Sequence, residues 1–311
     1  LLSNKIAIKI LILSCAALIL ICIYSTYTNG IKSRFKNYSL LLKNYQINNN
    51  FHLNEWKKDL FKFYSYKSKK NFDKIENKSN ILIIGNSFAV DIFNLFNENQ
   101  ARFDNLNFLF LRIGTNQLIS KKDEFLEFKF ADHIVLGTKF DSNISGFSRI
   151  DSLNKIKNEI LELKKVTEKH NKDLTIFLAR PEFSINSKNL NKELLSVETR
   201  DYDNNYTMLD AFIHQKINKN EIITIKDFEK WESLYFSNIT MDKIKFNNQL
   251  KPFLKKNKIK YIDPFKYSCD LLLKRCKIVT DNYEKIYFDY GHYTLSGAKY
   301  FGEIINKDLI K

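Results

Sequence analysis

Histidine and cysteine are scarce in this 311-residue chain, with five and four copies, and neither falls into a metal-binding spacing. The cysteines form no C-x-x-C pair and have no histidine partners, so no metal site is expected. No helix-turn-helix, zinc-finger or RNA-binding signature accompanies the net charge of +15. The lysines behind that charge are spread along the chain, so nucleic acid is not the expected partner. An anionic surface or a polysaccharide environment suits the charge better. Glycine (8) and proline (3) are rare while Lys, Asn, Ile and Phe abound, a bias that nucleotide composition produces as readily as function does. No internal repeat is evident. What is present is a 44% hydrophobic content, enough to build one large domain or two small ones.

Residues 6–27 are nearly all apolar, with Lys9 the only charge. As a helix they span about 33 Å, the thickness of a bilayer's hydrocarbon core. No small-x-small cleavage site follows, so a retained membrane helix is expected over residues 1–28 rather than a signal peptide. The chain begins at Leu1 rather than Met, so a processed chain or a fragment is expected. The helix is then either the last of a truncated membrane domain or a single anchor. Residues 29–79, rich in Asn, Lys and Tyr, read as a tether with some packed structure. Lys32, Arg34, Lys36 and Lys43 follow the apolar run, against Lys5 and Lys9 on its N-terminal side; taken alone, the positive-inside rule puts the following domain in the cytoplasm.

From Asn80 the pattern alternates. Short apolar strands are expected at 81–84, 108–113, 133–136, 174–178 and 258–262, each nearly free of polar alternation, as buried parallel strands are. Amphipathic helices are expected at 152–170, 239–256 and 295–310. The first presents Ile156, Ile160, Leu163 and Val166 on one face, the last Ala298, Phe301, Ile304 and Ile305. The alternation implies an α/β architecture, a central parallel five-stranded sheet between helical layers, over residues 80–311. Residues 184–238 break the rhythm and read as an insertion over the edge of the site.

Cys15 and Cys22 lie in the apolar run, seven apart, and read as small buried thiols. Cys269 and Cys276 are separated by six residues. A disulfide between them would contribute roughly 2–3 kcal/mol on the chain-entropy view; the alternative is two free thiols. A bridge would place the domain in an oxidising compartment, against the lysine count after the helix.

The chemistry-bearing residues lie at the two ends of the α/β region. Ser87 follows strand 81–84 in Gly85-Asn86-Ser87, at a turn into an apolar helix-like segment. Of the five histidines only His292 has an acid three residues before it and a helix after it, in Asp289-Tyr290-Gly291-His292. A serine hydroxyl becomes a nucleophile when a histidine takes its proton, and an acid orients that histidine. The turn is not the G-x-S-x-G elbow, because Ala89 stands at its second glycine.

In order, separation and flanking pattern these two motifs resemble those of the SGNH (GDSL) hydrolase superfamily, whose fold is a three-layer flavodoxin-like sandwich. Further likenesses narrow it: the preceding apolar helix, Ala179-Arg180-Pro181-Glu182-Phe183, Tyr261-Ile262-Asp263-Pro264 ahead of the cysteine pair, and Leu295-Ser296-Gly297-Ala298. With them the chain is similar to the SGNH domain carried at the C-terminus of membrane acyltransferase-3 proteins, which O-acylate cell-surface polysaccharides. The resemblance implies Ser87, Asp289 and His292 as catalytic residues. It implies an oxyanion hole from the Ser87 and Gly114 amides, with Thr138 in place of an absent asparagine, and substrate contacts at Asn86, Lys139 and Arg180. It implies no bound cofactor; the acyl group, acetyl by preference and ultimately from acyl-CoA, comes from a membrane domain upstream or in trans. The acceptor is a cell-surface polysaccharide, and the domain sits on the periplasmic side of the cytoplasmic membrane. An esterase or deacetylase with water as acceptor, and a non-catalytic polysaccharide-binding module, are the alternatives. Asn86 replaces the usual aspartate of the first motif and Phe88 the frequent following histidine.

Overall fold

The computed structural model describes residues 72, 78–140, 149–183, 209, 212, 213, 215, 216, 219, 221, 223–238, 241–287 and 291–305. The chain divides into two units, Leu1–His52 and Leu53–Lys311, and every described residue belongs to the second. The expected membrane helix over 1–28 and nearly all of the tether lie outside the described residues. Among the described residues, no helix is long and apolar enough to cross a membrane.

Five parallel strands form the sheet: β1 (Ser79–Gly85), β2 (Leu106–Leu111), β3 (His133–Gly137), β4 (Asp173–Phe177) and β5 (Lys260–Ile262). Their order is β2-β1-β3-β4-β5. All neighbours run parallel, with Gly85 of β1 in register with Gly137 of β3. The order reverses at β1, so the crevice beyond the carboxyl ends of β1 and β3 is where this topology puts a ligand. Ile81–Ile84 are almost wholly buried because helices cover both faces.

Alternate residues of β1 serve different layers. Leu82 and Ile84 join Ile134, Leu136, Leu174 and Ile176 in one core with Ile156, Ile160 and Leu163 of helix α4 (Arg149–Lys169) and Leu250 and Leu254 of α6 (Met241–Lys256). The opposite face is covered by α1 (Ser87–Asn97), on which α8 (Leu295–Ile304) packs in turn. There Phe96 stacks on Phe108 at 4.7 Å and meets Phe103 edge-on at 5.1 Å. Two short helices, α2 (Thr115–Lys121) and α3 (Leu126–Phe130), connect β2 to β3.

Three expected boundaries shift. Strand β2 ends at Leu111, where the Ile113 amide bonds the Leu111 carbonyl at 3.0 Å and folds the chain away. Strand β5 begins only at Lys260, because Lys258 adopts φ 54° to close the end of α6, with the Ile259 amide bonding the Leu254 carbonyl at 2.9 Å. Among the described residues of the last helix, Ile304 is 48% exposed rather than facing the core; the helix ends there, and Ile305, its C-cap, is buried.

The insertion also gains structure. Helix α5 (Ile225–Asn238) lies in its second half and buries Phe228, Trp231 and Tyr235. Its start is a reciprocal cap: the Thr224 amide donates to Asp227 Oδ2 at 2.7 Å, and the Asp227 amide to Thr224 Oγ1 at 3.4 Å. It packs on a two-stranded hairpin, β6 (Cys269–Asp270) and β7 (Arg275–Cys276), which follows the short helix α7 (Phe265–Ser268). Cys269 and Cys276 are directly paired across this hairpin and disulfide-bonded.

Gly85 occupies φ 143°, and a Cβ there would stand 1.8 Å from the Gly137 carbonyl oxygen. Replacing Gly85 by Ala therefore incurs both backbone strain and a backbone clash, and we expect a loss of about 3 kcal/mol or more in urea unfolding. A second prediction concerns pH. His133 is buried at the start of β3 with Nε2 2.9 Å from Thr175 Oγ1. Burial, helped by nearby Lys260 and opposed by Asp173, lowers its pKa to about 4. An imidazole in the unfolded chain titrates near 6.5, so as pH falls below that value the unfolded chain takes up a proton that the native one refuses. Its contribution is intact above about pH 6.5 and is lost progressively towards pH 4, amounting to about 3 kcal/mol. Stability measured between about pH 7 and pH 4 should show this slope, and His133→Gln should remove it.

Candidate active site

Ser87 is placed by the turn that Gly85 makes possible. Asn86 stays extended (φ −94°, ψ −153°) and caps α1, its Oδ1 accepting the Phe88 amide at 3.0 Å. Ser87 is then the first residue of an 11-residue helix, at the positive end of the helix dipole. Asn86, expected to touch substrate, uses its side-chain oxygen in this cap; a short polar side chain at a helix start bonds the orphan amides within reach.

His292 arrives from the other end of the chain. An isolated bridge between Tyr287 and Tyr293 closes the loop that carries it. Thr294 then caps α8, its Oγ1 accepting the Gly297 amide at 2.9 Å and donating to the Lys285 carbonyl, while its own amide bonds the Ile286 carbonyl at 2.8 Å. The result is His292 Nε2 lying 2.9 Å from Ser87 Oγ, across 205 residues of sequence. Asp289 lies outside the described residues.

Beneath the pair is a stack. The His292 ring lies on Phe88 with centroids 5.0 Å apart and planes 15° from parallel. The Arg180 guanidinium carbon is 3.7 Å from the Phe88 ring centroid and 4.7 Å from that of Tyr293. Arg180 Nη2 donates to Asp91 Oδ2 at 2.5 Å, with both side chains buried. Arg180, expected among the substrate contacts, lines the pocket and is also held by Asp91, because a guanidinium out of water needs a counter-charge. Asp91 is not among the residues expected at the site. Its signal in the sequence is a lone carboxylate in the apolar run Phe88-Ala89-Val90-Asp91-Ile92-Phe93, one turn after Ser87. Around the stack, burial raises the phenol pKa values of Tyr267, Tyr287 and Tyr293, so these rings stay neutral.

A pocket opens at the carboxyl ends of β3 and β4, lined by Phe88, Gly137, Thr138, Lys139, Arg180 and Glu182 among others. Thr138, expected as an oxyanion donor, is on its wall. Lys139, expected to contact substrate, forms an ion pair with Glu182 at 3.4 Å; Lys243 reaches the same carboxylate at 3.2 Å and donates to the Phe140 carbonyl at 2.7 Å. Neither Glu182 nor Lys243 is legible in the sequence as part of the site, since their pairing joins separate segments. Gly114 follows β2 at the same edge of the sheet, as the cap of α2, with φ −76°, and a Cβ there would meet open space. Among the described residues, no three His, Cys, Asp or Glu side chains gather as a metal site.

A 2-1-3-4-5 parallel sheet with a serine after its first strand and a histidine before its last helix is the arrangement expected of an SGNH-type domain. The chain belongs to the family described as "SGNH domain (fused to AT3 domains)", which matches residues 55–307. Among solved structures it is similar to the periplasmic domain of a lipopolysaccharide acetyltransferase from Salmonella ser. Paratyphi A, with TM-score 0.53, 14% identity, and coverage of 81% of this chain and 97% of that one. It is also similar to a GDSL-like lipase from Bacteroides thetaiotaomicron, with TM-score 0.43, 9% identity, and coverage of 79% of this chain and 96% of that one. No curated protein matches the chain.

The Asp91–Arg180 pair offers a direct test. Asp91→Ala and Arg180→Ala should each lower stability by about 3–5 kcal/mol, because each leaves a buried charge without its partner. The double variant should cost less than the sum in a urea double-mutant cycle. Single costs under about 1 kcal/mol would contradict a buried pair.

Proposed function

We propose that this domain transfers an acyl group, acetyl by preference, to a hydroxyl of a cell-surface polysaccharide through an acyl-Ser87 intermediate. The observation that carries the reading is the 2.9 Å approach of His292 Nε2 to Ser87 Oγ at a helix N-terminus. In the first half-reaction His292 takes the Ser87 proton as Oγ attacks the donor's carbonyl carbon. The tetrahedral oxyanion forms beside the start of α1, with the Ser87 and Gly114 amides and Thr138 as its donors. Collapse expels the donor's leaving group, which takes the proton from His292. In the second half-reaction His292 removes a proton from the acceptor hydroxyl, whose oxygen attacks the acyl carbon, and the bond to Ser87 Oγ breaks as His292 returns the proton to that oxygen. Asp289 orients the far ring nitrogen of His292, and Lys139 stands at the pocket rim towards the acceptor.

The family's association with AT3 domains supports an acyl donor delivered by a membrane acyltransferase domain, upstream or in trans, that draws on acyl-CoA. Two observations support an extracytoplasmic, periplasmic location: the disulfide Cys269–Cys276, which persists in oxidising compartments, and the likeness to a periplasmic domain.

Ser87→Ala should leave the unfolding transition in place and reduce acyl transfer by at least about 10⁴-fold. Mass spectrometry of the chain quenched with acyl donor should find the acyl group on Ser87. An assay with and without oligosaccharide distinguishes transfer from hydrolysis: acceptor acylation that consumes the acyl-enzyme supports the proposal, and release to water at the same rate in both overturns it in favour of an esterase.

A further inference from the structure

The turn of the disulfide hairpin carries Leu271, Leu272 and Leu273, which are 49%, 94% and 65% exposed. They are the one run of consecutive exposed large apolar side chains among the described residues. Ordinary surfaces carry such side chains singly, and a clustered exposure calls for an occupant. Here the exposure is built in. The disulfide joins the two strands behind the turn. Asp270 Oδ1 accepts the amides of Leu272 at 2.9 Å and Leu273 at 2.8 Å, and Lys274 takes φ 52° to complete the reversal. The base of the hairpin is tied to α5 by Arg275 and Glu229 at 3.2 Å and by Lys277 and Glu232 at 3.9 Å. No rearrangement within this hairpin tucks the leucines away without undoing those contacts.

The shape and charge select the occupant. Three adjacent leucines at the end of a two-stranded hairpin make a convex point, which fits a deformable apolar medium and would need a matching pocket on a protein. Lys274 follows the leucines directly, so a cation sits where a partly inserted tip would meet lipid phosphates. The acidic groups nearby are committed: Asp270 caps the turn, and Glu229 and Glu232 face Arg275 and Lys277. We propose that this tip inserts its leucines into the headgroup and upper acyl region of an anionic lipid bilayer, with Lys274 on the phosphates. It is a contact surface on the domain itself and stands independently of any role for Ser87.

The test uses the full chain reconstituted in phosphatidylcholine vesicles with or without phosphatidylglycerol. Leu272→Trp is read as the difference from the parent chain, using lipids brominated on their acyl chains as quenchers. Phe130→Trp, at the amino edge of the sheet and 53% exposed in the parent, is the control. Quenching and a blue shift of the Leu272→Trp emission are expected, strongest with phosphatidylglycerol, and neither is expected for Phe130→Trp. Adding Lys274→Gln should lower the inserted population about fivefold. Adding Leu271→Ser and Leu273→Ser should lower it about tenfold or more. A Leu272→Trp emission that brominated lipids leave unchanged in both compositions overturns the proposal, as does equal quenching at both tryptophan positions.

Discussion

Arg180 carries a full positive charge into the interior of the domain, and the arrangement around it determines how the carboxyl edge of the sheet is built. Asp91 neutralises it from α1, while Phe88 and Tyr293 cover it from either side. One cation therefore joins the segment after β4, the first helix and the loop ahead of the last helix. His292 stacks on the same Phe88 ring. The separation of Ser87 Oγ and His292 Nε2 depends on that stack, because the two residues come from opposite ends of the domain and share no secondary-structure element.

The serine's own position depends on backbone geometry. Gly85 turns the chain where any side chain would strike Gly137, and Asn86 caps the helix that follows. The replacement of the family's usual aspartate by asparagine at position 86 is accommodated because the cap needs an acceptor oxygen, which both residues have. The helix keeps its N-terminal orientation towards the hydroxyl. The replacement at Phe88 has a larger effect, since an aromatic ring takes the place of a titrating one and is met by both Arg180 and His292.

Several lysines of this basic chain are engaged rather than free. Lys139 and Lys243 share Glu182, Lys251 meets Asp263 at 2.5 Å, and Lys216 bridges Glu221 and Asp227. Composition alone treats those charges as one surface excess. The structure turns some of them into local fastenings, two of them at the pocket, while at the hairpin tip Lys274 adjoins exposed leucines.

The five strands and their parallel setting are legible because each is announced locally, and the pairing of Ser87 with His292 is legible through the resemblance of their two motifs to those of the SGNH superfamily. A run such as Ile81-Leu82-Ile83-Ile84 has one stable setting, and Gly85-Asn86-Ser87 and His292 flank helices whose starts are written in nearby residues. Helix α5 is harder to read. Thr224 and Asp227 signal its start and Phe228, Trp231 and Tyr235 keep helical spacing, but the polar stretch before it obscures the pattern. What Arg180, Lys139 and Asn86 are engaged in is not legible, for a deeper reason. A charged or polar side chain in a sequence looks available, and whether it is depends on what the fold brings beside it: Asp91 is 89 residues from Arg180, and Glu182 is 43 from Lys139. The sequence by itself determined which segments are strands and helices and which serine and histidine stand at their ends, since hydrophobic period and capping act over a few residues. Only the tertiary structure decided which charges are committed to one another and which surfaces remain open, since burial and pairing are set by neighbours distant along the chain.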